Sequence, residues 1–293
     1  MELRAISKQP ATMLEEVRSG DTHFCLCCRG ASELVHRFDA PPKGETHFGG
    51  PDQSSYRREL RRCVICGHFL AVSHAPLREL YTGQYVNATY GEDGIRPAYE
   101  RIMTLDPSQS DNAGRVRRVL DLVEHHRPEF KSADRTPSML DVGSGLCVFP
   151  AAMKAAGWHC TALDPDERAV KHAREVAKVE AVCADFMTAP TCGEFDLITI
   201  NKVLEHVTDP IAMLARCAEF MRDDSVIYIE VPDGEEAIKD GPDRQEFFIV
   251  HLHIFSMASL AMMIDRAGFR ALRIERLREP SGKYTLWAFL IPA

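Results

Sequence analysis

Ten cysteines occur in this chain of 293 residues, and half of them fall within its first quarter, at Cys25, Cys27, Cys28, Cys63 and Cys66. Cys25 with Cys28, and Cys63 with Cys66, form two CxxC pairs with 34 residues between them, which is metal-site spacing. Each pair sets two thiolates on one tight turn, and two such turns complete a tetrahedron with sulfur about 2.3 Å from a zinc ion. Gly30 and Gly67 permit the backbone such turns require. A CxC that uses Cys25 and Cys27 remains open as an alternative. A redox CxxC should open a helix after a strand, and neither pair does so clearly. Pro41, Pro42, Gly44, Gly49, Gly50 and Pro51 punctuate the stretch between the pairs, so it reads as a loop or long hairpin and predicts a zinc ribbon. Arg57, Arg58, Arg61 and Arg62 lead into Cys63 and read either as a phosphate-binding patch or as a solvated charged face.

A second set of chemistry-bearing residues needs strands to present it. Leu140, Asp141, Val142, Gly143, Ser144 and Gly145 close one apolar strand, and Asp164 closes the next, 21 positions after Gly143. Glycines let a ligand approach the backbone, and a carboxylate at that interval can accept both hydroxyls of a ribose. A dinucleotide fingerprint requires a third glycine three positions after Gly145, and Val148 stands there. S-adenosylmethionine carries no phosphate to cradle and tolerates the bulkier residue. The surrounding pattern alternates: strands at Ser138 to Val142, His159 to Leu163, Phe195 to Ile200 and Val226 to Val231, with helices at Phe149 to Ala156, Asp166 to Lys178 and Asp209 to Met221. This is a doubly wound α/β sheet, with its ligands at the carboxyl ends of the strands. Leu272 to Leu277 and Tyr284 to Ile291 read as a closing hairpin. Between ribbon and sheet the signals are helical, with Tyr81, Tyr85 and Tyr90 among glycines. Val116, Val119, Leu120 and Val123 then recur at helical steps behind a cap at Ser110 or Asp111. The charged stretch Lys131 to Pro137 marks a boundary, giving a ribbon over 1–75, a helical connecting or lid segment over 76–135 and an α/β domain over 136–293.

The segments LDVGSG, ALDPD, CADF at Cys183 to Phe186 and NKVLEHVTDP at Asn201 to Pro210 resemble class I S-adenosylmethionine-dependent methyltransferases, over about 138–293. The resemblance implies a mostly parallel seven-stranded sheet. It places Gly143 and Gly145 beneath the cofactor, Asp141 near its amino-acid end and Asp164 on the ribose hydroxyls. It also gives Asp185 the adenine amino group, sets Phe186 by the ring and Asn201 behind the methionine part. With the cysteine pairs included, nearly the whole chain is similar to bacterial methyltransferases that carry an N-terminal zinc-binding domain, which act on sugars, surface glycans and secondary metabolites. Asp185 as the cap of a turn and Asp164 as the cap of a helix are the plain structural alternatives.

Methyl transfer from a sulfonium is an in-line displacement that aligns acceptor, methyl and sulfur and usually needs a proton removed. Glu205 and His206 follow the fourth strand, and Glu246, His251 and His253 come from the long connection after the fifth. His251 and His253 alternate as in an extended segment, which predicts side chains on one face. Either imidazole could serve as the base near neutral pH, with Glu205 or His206 orienting acceptor or base. Both histidines could instead bond backbone beneath the next helix. In relatives with a glutamate three positions before the EH pair, both carboxylates and the histidine bind a divalent metal. Here Lys202 occupies that position and argues against a catalytic hard ion.

Composition sets outer limits. Residues are 45% hydrophobic and 27% charged, a globular balance, and 43 acidic against 35 basic residues give a net charge of −8. No global positive field attracts nucleic acid, which argues against an RNA-modifying enzyme gripping its substrate with the ribbon. Apolar runs such as Leu197 to Ile200 fall far short of the roughly 20 residues of a membrane span. Met1 to Val17 shows no apolar signal core, which predicts a reducing cytoplasmic setting and metal-bound, not disulfide-bonded, cysteines. The expected function is methylation of a small-molecule or sugar acceptor, at oxygen, with nitrogen or carbon and a non-catalytic scaffold as the other readings. The sequence leaves oligomeric state open.

Overall fold

The computed structural model describes residues 23–45, 56–73, 94–131 and 135–293. Tyr81, Tyr85 and Tyr90 lie outside them. The first described strands form an antiparallel meander, β1 (Ser32–Phe38), β2 (Arg58–Cys63) and β3 (Phe69–Ser73). Helices α1 (Ile95–Met103) and α2 (Asp111–His126) follow, and Ser110 is the cap, its hydroxyl accepting from Ala113 N at 3.1 Å.

The alternating part runs β4 (Ser138–Val142), α3 (Val148–Ala155), β5 (His159–Asp164), α4 (Glu167–His172), β6 (Glu180–Cys183), β7 (Phe195–Asn201), α5 (Pro210–Arg216) and β8 (Met221–Pro232). A short helix α6 (Gly234–Ala237), strand β9 (His253–Ile254), helix α7 (Met257–Arg266) and the hairpin β10 (Phe269–Arg278) and β11 (Tyr284–Pro292) complete it. Seven strands pair in the order β10-β11-β8-β7-β4-β5-β6. The five from β8 to β6 are parallel, and β11 enters antiparallel between β8 and β10. β7 and the end of β8 are buried on both faces, which explains their unbroken apolar runs. The strand order reverses direction at β4, so the crevice beyond the ends of β4 and β7 is the natural ligand site.

Sequence periodicity misses three features. β6 is only four residues long, the helix after β5 ends in a π turn over Ala173–Ala177, and Met221 begins β8 instead of ending α5. The ribbon's sheet is also not local: β9 joins it in the order β1-β2-β3-β9, with Phe69 opposite Ile254 and Leu70 opposite His253. Among the described residues, no helix is long and apolar enough to cross a membrane.

Candidate active site

The two CxxC pairs converge. Sγ of Cys25 lies 3.4 Å from that of Cys66, and Sγ of Cys28 lies 3.3 Å from Cys63 and 3.4 Å from Cys66. All four sulfurs lie within 4.8 Å of one another, close to the roughly 3.8 Å edge of a tetrahedron with 2.3 Å metal–sulfur bonds. The turns match: Arg29 and Gly67, each just after its second cysteine, are left-handed at φ 63° and 72°, and each N–H donates to the carbonyl of the first cysteine. Gly30 N donates to the Cys28 sulfur at 3.4 Å. Cys27 is buried beside the four but outside the set. Its hydrogen bond to Cys25, with burial, pushes its thiol upward, so it keeps its proton. The donor set fits a structural zinc of Cys25, Cys28, Cys63 and Cys66, with Cys28 as the fourth ligand. The arginines ahead of Cys63 each meet a carboxylate, Arg57 Asp39, Arg58 Glu45, Arg61 Glu59 and Arg62 Glu235, at 3.4, 3.3, 2.8 and 4.0 Å.

A cradle forms at the ends of β4 and β5. Gly143 is left-handed at φ 70°, and a Cβ there would meet Val203 at 2.6 Å, so only glycine leaves the turn open. Asp164 receives Gly145 N at 2.8 Å on one carboxylate oxygen and Asp166 N at 2.9 Å on the other. It thus ties the glycine turn to β5, while Asp166 caps α4. Burial pushes the Asp164 carboxyl upward. Asp141 is buried and accepts from Thr199 Oγ1 at 2.5 Å and Asn201 Nδ2 at 3.2 Å. Burial outweighs those bonds and raises it to about 7. Asn201 Oδ1 is buried with no hydrogen-bond partner among the described residues. Asp185 is exposed and receives Met187 N at 2.9 Å, which is the geometry of a turn cap. Phe186 is buried, its ring 5.1 Å from that of Phe220.

A third group closes the crevice beyond β7. Glu205 and His206 sit on a 3-10 turn, Leu204–His206, and His251 arrives from the connection before β9. Ligand atoms of Glu205, His206 and His251 lie within 4.8 Å of one another, and the two rings meet edge to face at 4.9 Å. His206 Nδ1 lies 2.8 Å from the Val250 carbonyl and His251 Nδ1 lies 2.8 Å from the Glu246 carbonyl. A carbonyl only accepts, so both rings carry a proton on Nδ1. Burial drives His251 well below the usual imidazole range and raises Glu205. Glu246 does not join the group: its carboxylate takes Arg244 and Tyr284 N.

His253 does not share a face with His251, which corrects the expectation from their alternation. The chain is extended only from residue 253 onward, and the bend at 252 turns the two rings apart. His253 Nδ1 instead lies 3.2 Å from His68 Nε2 of the ribbon, and burial lowers it to about 4. Composition gave no sign of this pair. The sequence also did not reveal the buried cluster under α2, where Arg115 and Arg118 donate to the two oxygens of Glu230 at 2.6 and 2.8 Å. Lys202, left-handed at φ 60°, directs its ammonium to Thr285 Oγ1 at 2.6 Å and the Val231 carbonyl at 3.4 Å.

A family model described as a methyltransferase domain matches residues 110–274, more than half of the chain. The chain belongs to that family of methyltransferase domains. Ubiquinone biosynthesis O-methyltransferases are among its relatives: that of Aromatoleum aromaticum is 35% identical over 91 residues, covering 29% of this chain and 39% of that protein. The Actinobacillus pleuropneumoniae serotype 5b protein is 35% identical over 101 residues, covering 31% and 43%. The chain thus spans about two fifths of the length of the curated relatives it matches. The fold is shared with the magnesium protoporphyrin IX methyltransferase of Synechocystis PCC 6803, solved with S-adenosylhomocysteine, at a TM-score of 0.54 and 16% identity, covering 73% of this chain and 100% of that one. It is shared too with the Burkholderia thailandensis 1,6-didemethyltoxoflavin-N1-methyltransferase, at a TM-score of 0.53 and 18% identity, covering 85% and 100%.

Proposed function

We propose that this methyltransferase methylates a hydroxyl oxygen of a small molecule. Asp164 would hold the cofactor's ribose, Asp141 and Asn201 its amino-acid end, Asp185 and Phe186 its adenine. The convergence of Glu205, His206 and His251 just beyond this cradle carries the reading. Two imidazoles oriented by their Nδ1–H bonds to backbone carbonyls, beside a buried carboxylate, suit an acceptor that must lose a proton. The names of the O-methyltransferase relatives support oxygen over nitrogen. His253, turned toward the ribbon, is left a positioning role. In the reaction an acceptor oxygen forms a bond to the methyl carbon as the carbon–sulfur bond breaks, and that electron pair stays on sulfur. In the chain alone the hydroxyl proton goes to Nε2 of His206 or His251.

The test follows labelled methyl transfer from S-adenosylmethionine to a panel of phenolic and sugar hydroxyl acceptors. His251→Ala should slow turnover roughly 100- to 10,000-fold with cofactor affinity near normal, because the proton moves only on the way to the transition state. Asp164→Ala should do the reverse and weaken cofactor binding at least about tenfold. Transfer to amines but not hydroxyls would overturn the reading.

A further inference from the structure

An acceptor must be held as well as deprotonated, and the closing hairpin brings a further buried carboxylate to the crevice. We propose that Glu279, together with Arg115, binds a second hydroxyl of the acceptor, an anchor apart from the hydroxyl that is methylated. The substrate class is thus a polyhydroxylated molecule. The inference rests on the O-methylation reading and extends it.

The hairpin end is fixed before any acceptor arrives. Glu279 N donates to the Lys283 carbonyl at 2.8 Å and closes the turn between β10 and β11. Lys202, at the end of β7 and three positions before Glu205, reaches Thr285 Oγ1 at 2.6 Å. Tyr284 N donates to the Glu246 carboxylate at 2.7 Å, and the Glu246 carbonyl accepts Nδ1–H of His251. Asp111, at the start of α2, accepts from Ser281 N at 2.9 Å and from Ser281 Oγ at 2.6 Å. The hairpin end is therefore bonded to both segments of the wall that carries Glu205, His206 and His251, and to the helix that carries Arg115. Such support is what a binding group needs in order to be preorganised.

Two orphaned atoms define the ligand. Glu279 is 4% exposed, and its Oε1 has no hydrogen-bond partner among the described residues. Burial and Glu230 raise its carboxyl, and Arg115 and Lys202, acting from a distance, do not reverse this. Lys202 spends its ammonium on Thr285 and on the Val231 carbonyl at 3.4 Å. Arg115 is held by Glu230 through Nη2 at 2.6 Å, while its buried Nε also has no partner among the described residues. Arg115 and Glu279 each shift the other's proton affinity, so they are neighbours, yet no hydrogen bond joins these two atoms. A buried acceptor oxygen and a buried N–H left unmatched are both costly. A hydroxyl satisfies the two at once, because it donates to the oxygen and accepts from the N–H. An ammonium cannot accept from Nε, and a carboxylate cannot donate to Oε1.

The test compares methyl transfer to methyl hexopyranosides and dihydric phenols with transfer to their analogues lacking one hydroxyl. In the wild type, loss of the anchor hydroxyl should lower kcat/KM at least about tenfold, because the polar pair is then left unmatched. Glu279→Ala should raise KM for the intact acceptor at least about tenfold with kcat within about threefold, and should no longer distinguish the analogue. Glu279→Gln keeps an accepting oxygen and should recover part of the KM. It should also unfold at the same or a higher denaturant concentration than the wild type, since a buried charge is gone. Glu275→Gln, on an exposed part of β10, should alter none of these. Equal discrimination in the wild type and Glu279→Ala means that the gap holds a trapped water only and overturns the proposal. Earlier unfolding of Glu279→Gln would reveal a structural carboxylate and overturn it too. Should no hydroxyl be methylated, the O-methylation reading fails, and calorimetry of the same glycosides and phenols on the S-adenosylhomocysteine complex tests the anchor by itself. Affinity lost in Glu279→Ala sustains the anchor, and no difference between wild type and variant sinks it.

Discussion

Asp141 shows how one residue can reverse a pH trend. Its folded-state value of about 7 lies above the ordinary 3.8, so it favours the folded apoprotein fully below about 3.8, and that contribution is lost as pH rises to about 7. A cofactor ammonium beside it needs the ionised form, so affinity for S-adenosylmethionine should fall up to about tenfold per pH unit below 7. Asp141→Asn should flatten both the thermal-stability profile of the apoprotein and the pH dependence of calorimetric affinity. An affinity profile unchanged by that substitution would remove Asp141 from the cofactor's amino-acid end. The glycines and Asp164 were legible because their work is local: a turn that needs positive φ and a carboxylate one strand away are both written in spacing. His251 and His253 were not, because a single bend decides which partner each ring meets, His206 for one and His68 for the other. The arginines before Cys63 illustrate the same limit, since their carboxylate partners reach from 39, 45, 59 and 235.

At the scale of elements, the parallel strands announced themselves by apolar runs and the capped α2 by its 3- and 4-residue steps, whereas what fastens α2 to the sheet is polar and invisible to periodicity. Burial pushes the Glu230 carboxyl up, but Arg115, with Lys202 and Arg118, more than reverses this and holds it well below the usual 4.5. A depressed carboxylate stabilises the fold above its unfolded value and loses that stabilisation as pH falls below about 4.5, so Glu230 should contribute to acid unfolding of the whole fold while its own pairing persists in the folded chain. Glu230→Ala leaves two guanidinium groups facing a void and should cost about 3–5 kcal/mol in denaturant unfolding, as breaking a buried pair does. The exposed Arg96–Glu100 pair on α1 has the same partners chemically, yet Glu100→Ala should cost far less, because solvent screens the pair. Equal costs for the two would mean that Glu230 is not the fastening point.

The molecule as a whole joins its two sheets through the very connection that carries His251. Glu45 takes Ile249 N at 2.6 Å, Arg58 donates to the Phe247 carbonyl, Ala71 N donates to the Leu252 carbonyl at 3.1 Å, and β3 pairs with β9. On the other side of the tetrad, Ser256 donates to the Cys66 carbonyl and Arg266 to those of Leu26 and Cys27, so α7 is seated on the cysteine turns. The ribbon therefore braces residues 245–256. Its metal should control chemistry from a distance. Stripping the ribbon, or Cys63→Ser, removes the cross-link that fixes β2 to the turn before β1 and should let the brace relax, and a displacement of about 1 Å at His251 is enough to slow a positioned reaction by about 100-fold. The cradle of Gly143, Asp164 and Asp141 lies on β4 and β5, in a different sheet from the ribbon's, so affinity for S-adenosylmethionine should stay within about twofold by calorimetry. Hydrogen exchange should accelerate over 245–256 and not over β4 or β5. Turnover that survives loss of the ribbon metal, with exchange in 245–256 unaltered, would show that the brace stands without its zinc.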